Sequence, residues 1–211
     1  MAILIHILLG IVLSFIGSIP FGTINVTVIE TAILKGFRVA AWVVIGAAII
    51  EFIQACVALL FSHFISQNPL TENILFWISI PIFIGLGIYY LRQKPSTRTP
   101  EELHGYAGGR GFLKGVIVSS LNVLAIPYWI FYGAYLSSLG WIDLEDRSMI
   151  LVFSSGVLIG TITILLVYAR LGIYAKARFS KLTTYISPAV GYFFFALALI
   201  QIVRAVYTHL H

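Results

Sequence analysis

Six apolar segments set the outer limits on this fold. They run over about residues 3–30, 40–61, 73–91, 112–136, 149–169 and 184–207. Each supplies the roughly 20 helical residues that a hydrocarbon core of about 30 Å requires. Inside lipid, backbone polar groups must pair within helices or within a closed barrel. The period-two alternation of barrel strands is absent, so the sequence predicts an all-α, polytopic membrane protein with six transmembrane helices. Composition agrees, with 60% of 211 residues hydrophobic, 10% charged and a mean hydropathy of +1.00; soluble domains are nearer half apolar and about a quarter charged. Little chain remains for a separate soluble domain.

The formal net charge of +5 is read as an orientation signal, not as a nucleic-acid footprint, because basic residues flanking spans set topology. With six spans, Lys35 and Arg38, then Arg92, Lys94, Arg98, Arg110 and Lys114, then Arg170, Lys176, Arg178 and Lys181 gather on one face. Only Arg147 and Arg204 fall on the other. The basic face is expected to be cytoplasmic, which leaves both termini outside the cytoplasm of a cell (inner) membrane. The N-terminal MAILIHILLG lacks a basic n-region and a clear small-residue cleavage site, so it is expected to be the first span and not a removed signal. Cys56 is the single cysteine, and no Cys/His cluster has metal-ligand spacing. No cofactor is expected.

The segment QKPSTRTPEELHGYAGGRG, residues 93–111, reads as a cytoplasmic linker between two halves of three spans each, 1–92 and 112–211. Three is odd, so equivalent spans of the two halves would cross in opposite directions, as an inverted repeat does. LLGIVLSFIG (8–17) aligns with LKGVIVSSLN (113–122), pairing Gly10 with Gly115 and Ser14 with Ser119. IGAAIIEF (45–52) aligns with SGVLIGTI (155–162), pairing Gly46 with Gly156. The predicted architecture is therefore two inverted three-helix repeats.

The first segment is too long for one straight span. A helix from Ile3 to Leu34 would extend about 48 Å at 1.5 Å per residue. Within it, SFIGSIPFGTIN (14–25) carries Pro20, Gly22, Thr23 and Asn25. Pro20 has no amide donor and disfavours helix at Ile19, while Gly22 adds backbone freedom. A break at this depth exposes carbonyls and half-helix ends to which Thr23 and Asn25 add side-chain donors and acceptors. On the proline alone, a simple kink is the favoured reading. The second half tips the balance, because SSLNVLAIPYW places Ser119, Ser120 and Asn122 ahead of Pro127 in the equivalent span. Two breaks at corresponding depth point to a site where the halves meet.

Glu51 lies near the middle of the second segment, AAWVVIGAAIIEFIQACVALL. An acid at a helix centre is unfavourable by about 2.5–3.5 kcal/mol on insertion scales, so it is expected to face the bundle interior. Ala47, Ala48, Gln54, Ala55 and Ala58 share its face at helical spacing, and Ile49, Ile53, Cys56 and Leu60 point away. Glu51 is a candidate to bind a proton or a cationic group during transport; as a neutral acid it would instead bond a neighbouring helix as structural glue. Trp42, Trp77 and Trp141 are placed at the membrane interfaces. Tyr128, Trp129 and Tyr132 line a cavity or simply pack.

A Pro–Gly break late in span one, a glycine followed five residues later by an acid in span two, and an Asn-centred motif opening the second half together resemble the lysine exporter (LysE/RhtB) superfamily. The resemblance covers nearly the whole chain. Where that family has Pro-Gly-Pro followed by Asn, this chain has Phe21, Gly22 and Thr23 after Pro20, with Asn25 following. The family's span-two glycine and acid correspond to Gly46 and Glu51, and its Asn-Pro motif to Asn122 and Val123, the proline being lost. The resemblance implies a secondary transporter, not an enzyme, that exports amino acids or similar small solutes, driven by protons. The residues expected at the substrate or proton site are Glu51, Pro20, Gly22, Thr23, Asn25, Asn122, Ser119 and Gln54. The expected partners are the lipid bilayer, protons and an amino-acid-like substrate, with no nucleic acid; a homo-oligomer is left open. The alternatives are a metal or inorganic ion exporter of related architecture and a non-transporting membrane assembly factor. The absence of a GxxxxGK[ST] loop argues against ATP-driven transport.

Overall fold

A computed structural model describes residues 2–18, 22–66, 108–122 and 125–174, with isolated helical positions between 77 and 92 and between 191 and 206. The described residues are helical and contain no strand. Six helices follow in order: α1 (Ala2–Gly17), α2 (Thr23–Lys35), α3 (Phe37–Ser66), α4 (Gly108–Ser120), α5 (Ala125–Ser138) and α6 (Arg147–Tyr174). Helices α3, over Phe37–Ser62, and α6 are each long and apolar enough to cross a membrane, and α4 with α5 qualifies as a pair bent by 64°. The predicted spans over 73–91 and 184–207, most of the 93–111 linker and Pro20 lie outside the described residues. The linker's last residues are helical, since α4 begins at Gly108 and Gly111 seats against Val39 and Trp42 of α3.

Met1–Phe64 and Arg98–Ala177 form one compact unit, and Ile65–Thr97 and Arg178–His211 form another. In the first, small residues let helix backbones touch, the main source of close packing where no water is expelled. A Cβ on Gly10 would strike the Phe153 carbonyl oxygen, one on Gly156 that of Ile7, and one on Gly160 would lie 2.7 Å from that of Ile11. Residue numbers rise together along this contact, so α1 and α6 run parallel. Past the break, Tyr168 reaches Ser18 and Gly172 seats Ile29 of α2. The order is kept, so α2 advances in the direction of α1 and the break does not turn the chain back.

The same pattern recurs between α3 and the bent pair. Gly46 abuts the Phe112 carbonyl and Gly115 abuts that of Val43. Beyond the bend, Gly133 of α5 seats Leu59, and Ser62 donates to the Ile130 carbonyl at 3.3 Å. Helix α5 thus continues along α3, and α4 and α5 are two parts of one advancing path. In the second unit, Gly87 seats Phe195 at 3.0 Å and Gly191 seats Leu91 at 2.8 Å, an antiparallel exchange of partners.

Basic residues of α2, α3, α4 and α6 lie at one end of the first unit. Gly36 joins α2 to α3 in one residue with φ +86, a conformation that glycine adopts without a Cβ penalty, so Lys35 and Arg38 sit at a tight corner. Lys114 of α4 reaches Thr31 of α2 at 3.3 Å, and the Arg170 guanidinium lies 4.6 Å over the Phe37 ring. At the opposite end, buried His6 links α1 to the α5–α6 connection. Its Nδ1 bonds the Ala2 carbonyl at 2.8 Å, and its Nε2 accepts the Asp143 N–H at 3.0 Å.

Candidate functional site

The face of α3 that carries Glu51 is buried through Ala47, Ala48, Ala55 and Ala58, and the opposite stripe of Ile49, Ile53 and Leu60 is exposed. The expected division into a small inner face and a bulky outer face is observed except at Cys56, which is half-buried and lies beside Ser154 of α6. Glu51 itself is partly exposed, and its Oε2 accepts a hydrogen bond from the Thr161 hydroxyl at 2.9 Å. Thr161 Oγ1 is also 2.7 Å from the Ser14 hydroxyl. Both hydroxyl residues are 1% exposed. A carboxyl oxygen on α3, a hydroxyl on α6 and a hydroxyl on α1 therefore form one chain.

One turn along α3, Gln54 donates from Nε2 to the Ser119 carbonyl at 3.3 Å, and Ser119 donates from its hydroxyl to the Ala47 carbonyl at 3.2 Å. These bonds fasten the last turn of α4 to α3 just before the second break. The Gln54 Oε1 is buried with no hydrogen-bond partner, which leaves it an unused acceptor. Asn122 occupies the break itself. Its N–H donates to the Ser119 carbonyl at 3.0 Å, and its own carbonyl accepts the Ala125 N–H at 3.3 Å. Pro127 follows in the first turn of α5, where its missing N–H costs no intrahelical bond.

At the first break, α1 stops at Gly17 and α2 starts at Thr23. Asn25, 2% exposed, donates to the Ser18 carbonyl at 2.9 Å, and Tyr168 donates to the same oxygen at 3.2 Å. A carbonyl freed by the break is thus held by a residue expected from the sequence and by one that was not. Gly22 caps α2 with an extended backbone (φ −84, ψ 176) and open space around it, so neither conformation nor room demands glycine there. Thr23 is the first residue of α2, which has no side-chain cap.

The two breaks lie side by side. Tyr128, in the first turn of α5, donates its hydroxyl to the Leu13 carbonyl at 2.7 Å, and its ring fills the space left by Gly17. Trp129 points the other way, 1% exposed and edge-on to Phe153 at 5.9 Å. Of the aromatic trio, Tyr128 belongs to the site and Trp129 to the core.

Two helix breaks linked through Tyr128, an acid bonded to Thr161 and a glycine five residues before that acid make a pattern spread over most of the chain. A family model for the LysE type translocator matches residues 15–204. The chain belongs to the LysE type translocator family. No curated protein matches it, and no solved structure does. The family is one of transporters, so this translocator is a multi-pass membrane protein that acts on a small-molecule substrate and not an enzyme.

The geometry also shows what reading the translocator residue by residue passed over. Thr161, Ser14, Tyr128 and Tyr168 contribute directly to the node, and of these the sequence reading gives only Tyr128 a place there, as a candidate cavity-lining residue. Hydroxyls and phenols in apolar helices are common, and nothing in a single strand of sequence says which ones face inward. One signal was available for Thr161: it stands five residues after Gly156, as Glu51 stands five after Gly46.

Proposed function

We propose that the chain is a proton-coupled secondary transporter that exports amino acids or similar small solutes across the cell membrane. In this reading it has six spans arranged as two inverted three-helix repeats, with its basic loops in the cytoplasm and both termini outside. The observation that carries the reading is Glu51, a carboxyl within α3 bonded to Thr161 beside two helix breaks. Glu51 takes up and releases the proton. Asn25, Thr23, Gly22 and Pro20 at one break, and Asn122, Ser119 and Gln54 at the other, offer the backbone and amide groups that a zwitterionic solute requires.

The repeat is supported by reciprocal contacts between residues that align in sequence. Gly10 packs on the helix of Gly156, and their counterparts Gly115 and Gly46 pack on each other's helices in the same way. The gathering of basic residues at one end supports the orientation.

The experiment is efflux from amino-acid-loaded vesicles under an imposed pH gradient. Wild-type protein is expected to accelerate efflux of at least one member of a panel of amino acids and dipeptides, and Glu51→Gln to remove the dependence on the gradient. Gradient-dependent efflux that survives in Glu51→Gln would show that the proton is carried elsewhere. Efflux driven equally by a sodium gradient would show that the coupling ion is not the proton.

A further inference from the structure

The hydroxyl chain at Glu51 has a direction, and that direction depends on one proton. A threonine or serine hydroxyl donates one hydrogen bond and accepts up to two. With Glu51 ionised, its oxygen can only accept, so Thr161 must donate to it and the 2.7 Å contact with Ser14 must be filled by the Ser14 hydrogen. With Glu51 protonated on that oxygen, the carboxyl can donate to Thr161. The Thr161 hydrogen then turns to Ser14, and the Ser14 hydrogen turns to a carbonyl of its own helix, the usual fallback for a serine inside a helix. Ser14 stands in the last turn of α1, and its carbonyl accepts the Ser18 N–H at 3.0 Å. The Ser18 carbonyl is in turn the one held by Asn25 and Tyr168.

We propose that Thr161 is a positioning residue for translocation: it holds the Glu51 carboxyl and, through Ser14, transmits the presence or absence of its proton to the break after α1. This rests on the reading of Glu51 as the proton carrier. The titratable groups on the surrounding helices include the half-buried Glu30 of α2 and several whose bonds lie outside the hydroxyl chain. Tyr128 faces Glu51 electrostatically from α5, but its hydroxyl is already given to the Leu13 carbonyl. Cys56 of α3 lies beside Ser154 of α6, and Tyr168 of α6 is committed to Ser18. On α4, Lys114 bonds Thr31, and on α1, His6 is bonded at the far end.

The test measures movement at the break separately from transport. Ser18→Cys, in a Cys56→Ser background, is labelled with a maleimide in detergent at acid and at neutral pH, each rate normalised to denatured protein at the same pH. The protein with Thr161 intact is expected to change its labelling rate between the two conditions by roughly fivefold or more, the lower range of coupling between linked sites. Thr161→Val, which keeps shape but cannot donate, is expected to flatten this response and to shift the pH at which efflux is half-maximal. Thr161→Ser should restore both. Ser14→Ala keeps the Glu51–Thr161 bond but cuts the chain, and should flatten labelling while shifting the pH of half-maximal efflux less than Thr161→Val does. If Glu51→Gln abolishes gradient coupling while Thr161→Val keeps the wild-type labelling response and pH profile, Thr161 is packing only and this inference fails by itself. If Glu51→Gln leaves coupling intact, the proton-carrier reading fails first.

Discussion

Glu51 and Thr161 are hydrogen-bonded at 2.9 Å, and they hold the same place in two aligned segments, five residues after Gly46 and five after Gly156. Helices α3 and α6 cross antiparallel here, since Cys56 further along α3 meets Ser154 earlier on α6. The acid and its donor are thus counterparts that differ by the exchange of a carboxyl for a hydroxyl.

If the two positions are equivalent, the carboxyl should work from either. Glu51→Thr alone is expected to lose gradient-driven efflux. Glu51→Thr combined with Thr161→Glu is expected to recover it to within about tenfold of wild type, one step of about 1.4 kcal/mol in barrier height. A double variant as inactive as the single one, yet equally well folded, would count against the equivalence.

The glycine contacts between helices should be intolerant of any side chain. Gly156→Ala and Gly115→Ala each push a methyl group into a neighbouring backbone carbonyl. Overpacking of this kind costs about 1–3 kcal/mol, so both variants should lower the melting temperature in detergent. Gly109→Ala and Gly85→Ala meet nothing within 4 Å and should melt as wild type does. Size-exclusion chromatography after heating reads the difference.

Tyr128→Phe keeps the ring against Gly17 and removes only the bond to the Leu13 carbonyl. A single neutral hydrogen bond contributes about 0.5–1.5 kcal/mol, so the fall in thermal stability should be small. Gly17→Val, which displaces the ring, should cost more than Tyr128→Phe. Equal melting of the two variants would mean that the ring contact contributes nothing.

Orientation can be read from single cysteines in a Cys56→Ser background. Glu145→Cys lies in the exposed connection between α5 and α6, and Gly109→Cys is exposed at the start of α4. An impermeant maleimide added to intact cells is expected to label position 145 and to label position 109 only after permeabilisation. The reverse pattern would invert the proposed topology.

Sequence by itself determined the helical class, because an apolar chain in lipid has few ways to satisfy its backbone. It also marked the first break, where Pro20 interrupts a segment too long for one span, and the inward face of α3, where alanines at helical spacing surround Glu51. Local rules of chain length, proline geometry and helical period suffice for these. Only the tertiary structure decided that α2 advances beyond the break, that Tyr128 brings the second break against the first, and that Thr161 and Ser14 complete the chain at Glu51. Those relationships join residues more than a hundred positions apart. Hydroxyl groups have no preference of their own that selects one distant partner, so packing of the glycine-lined helices chose it.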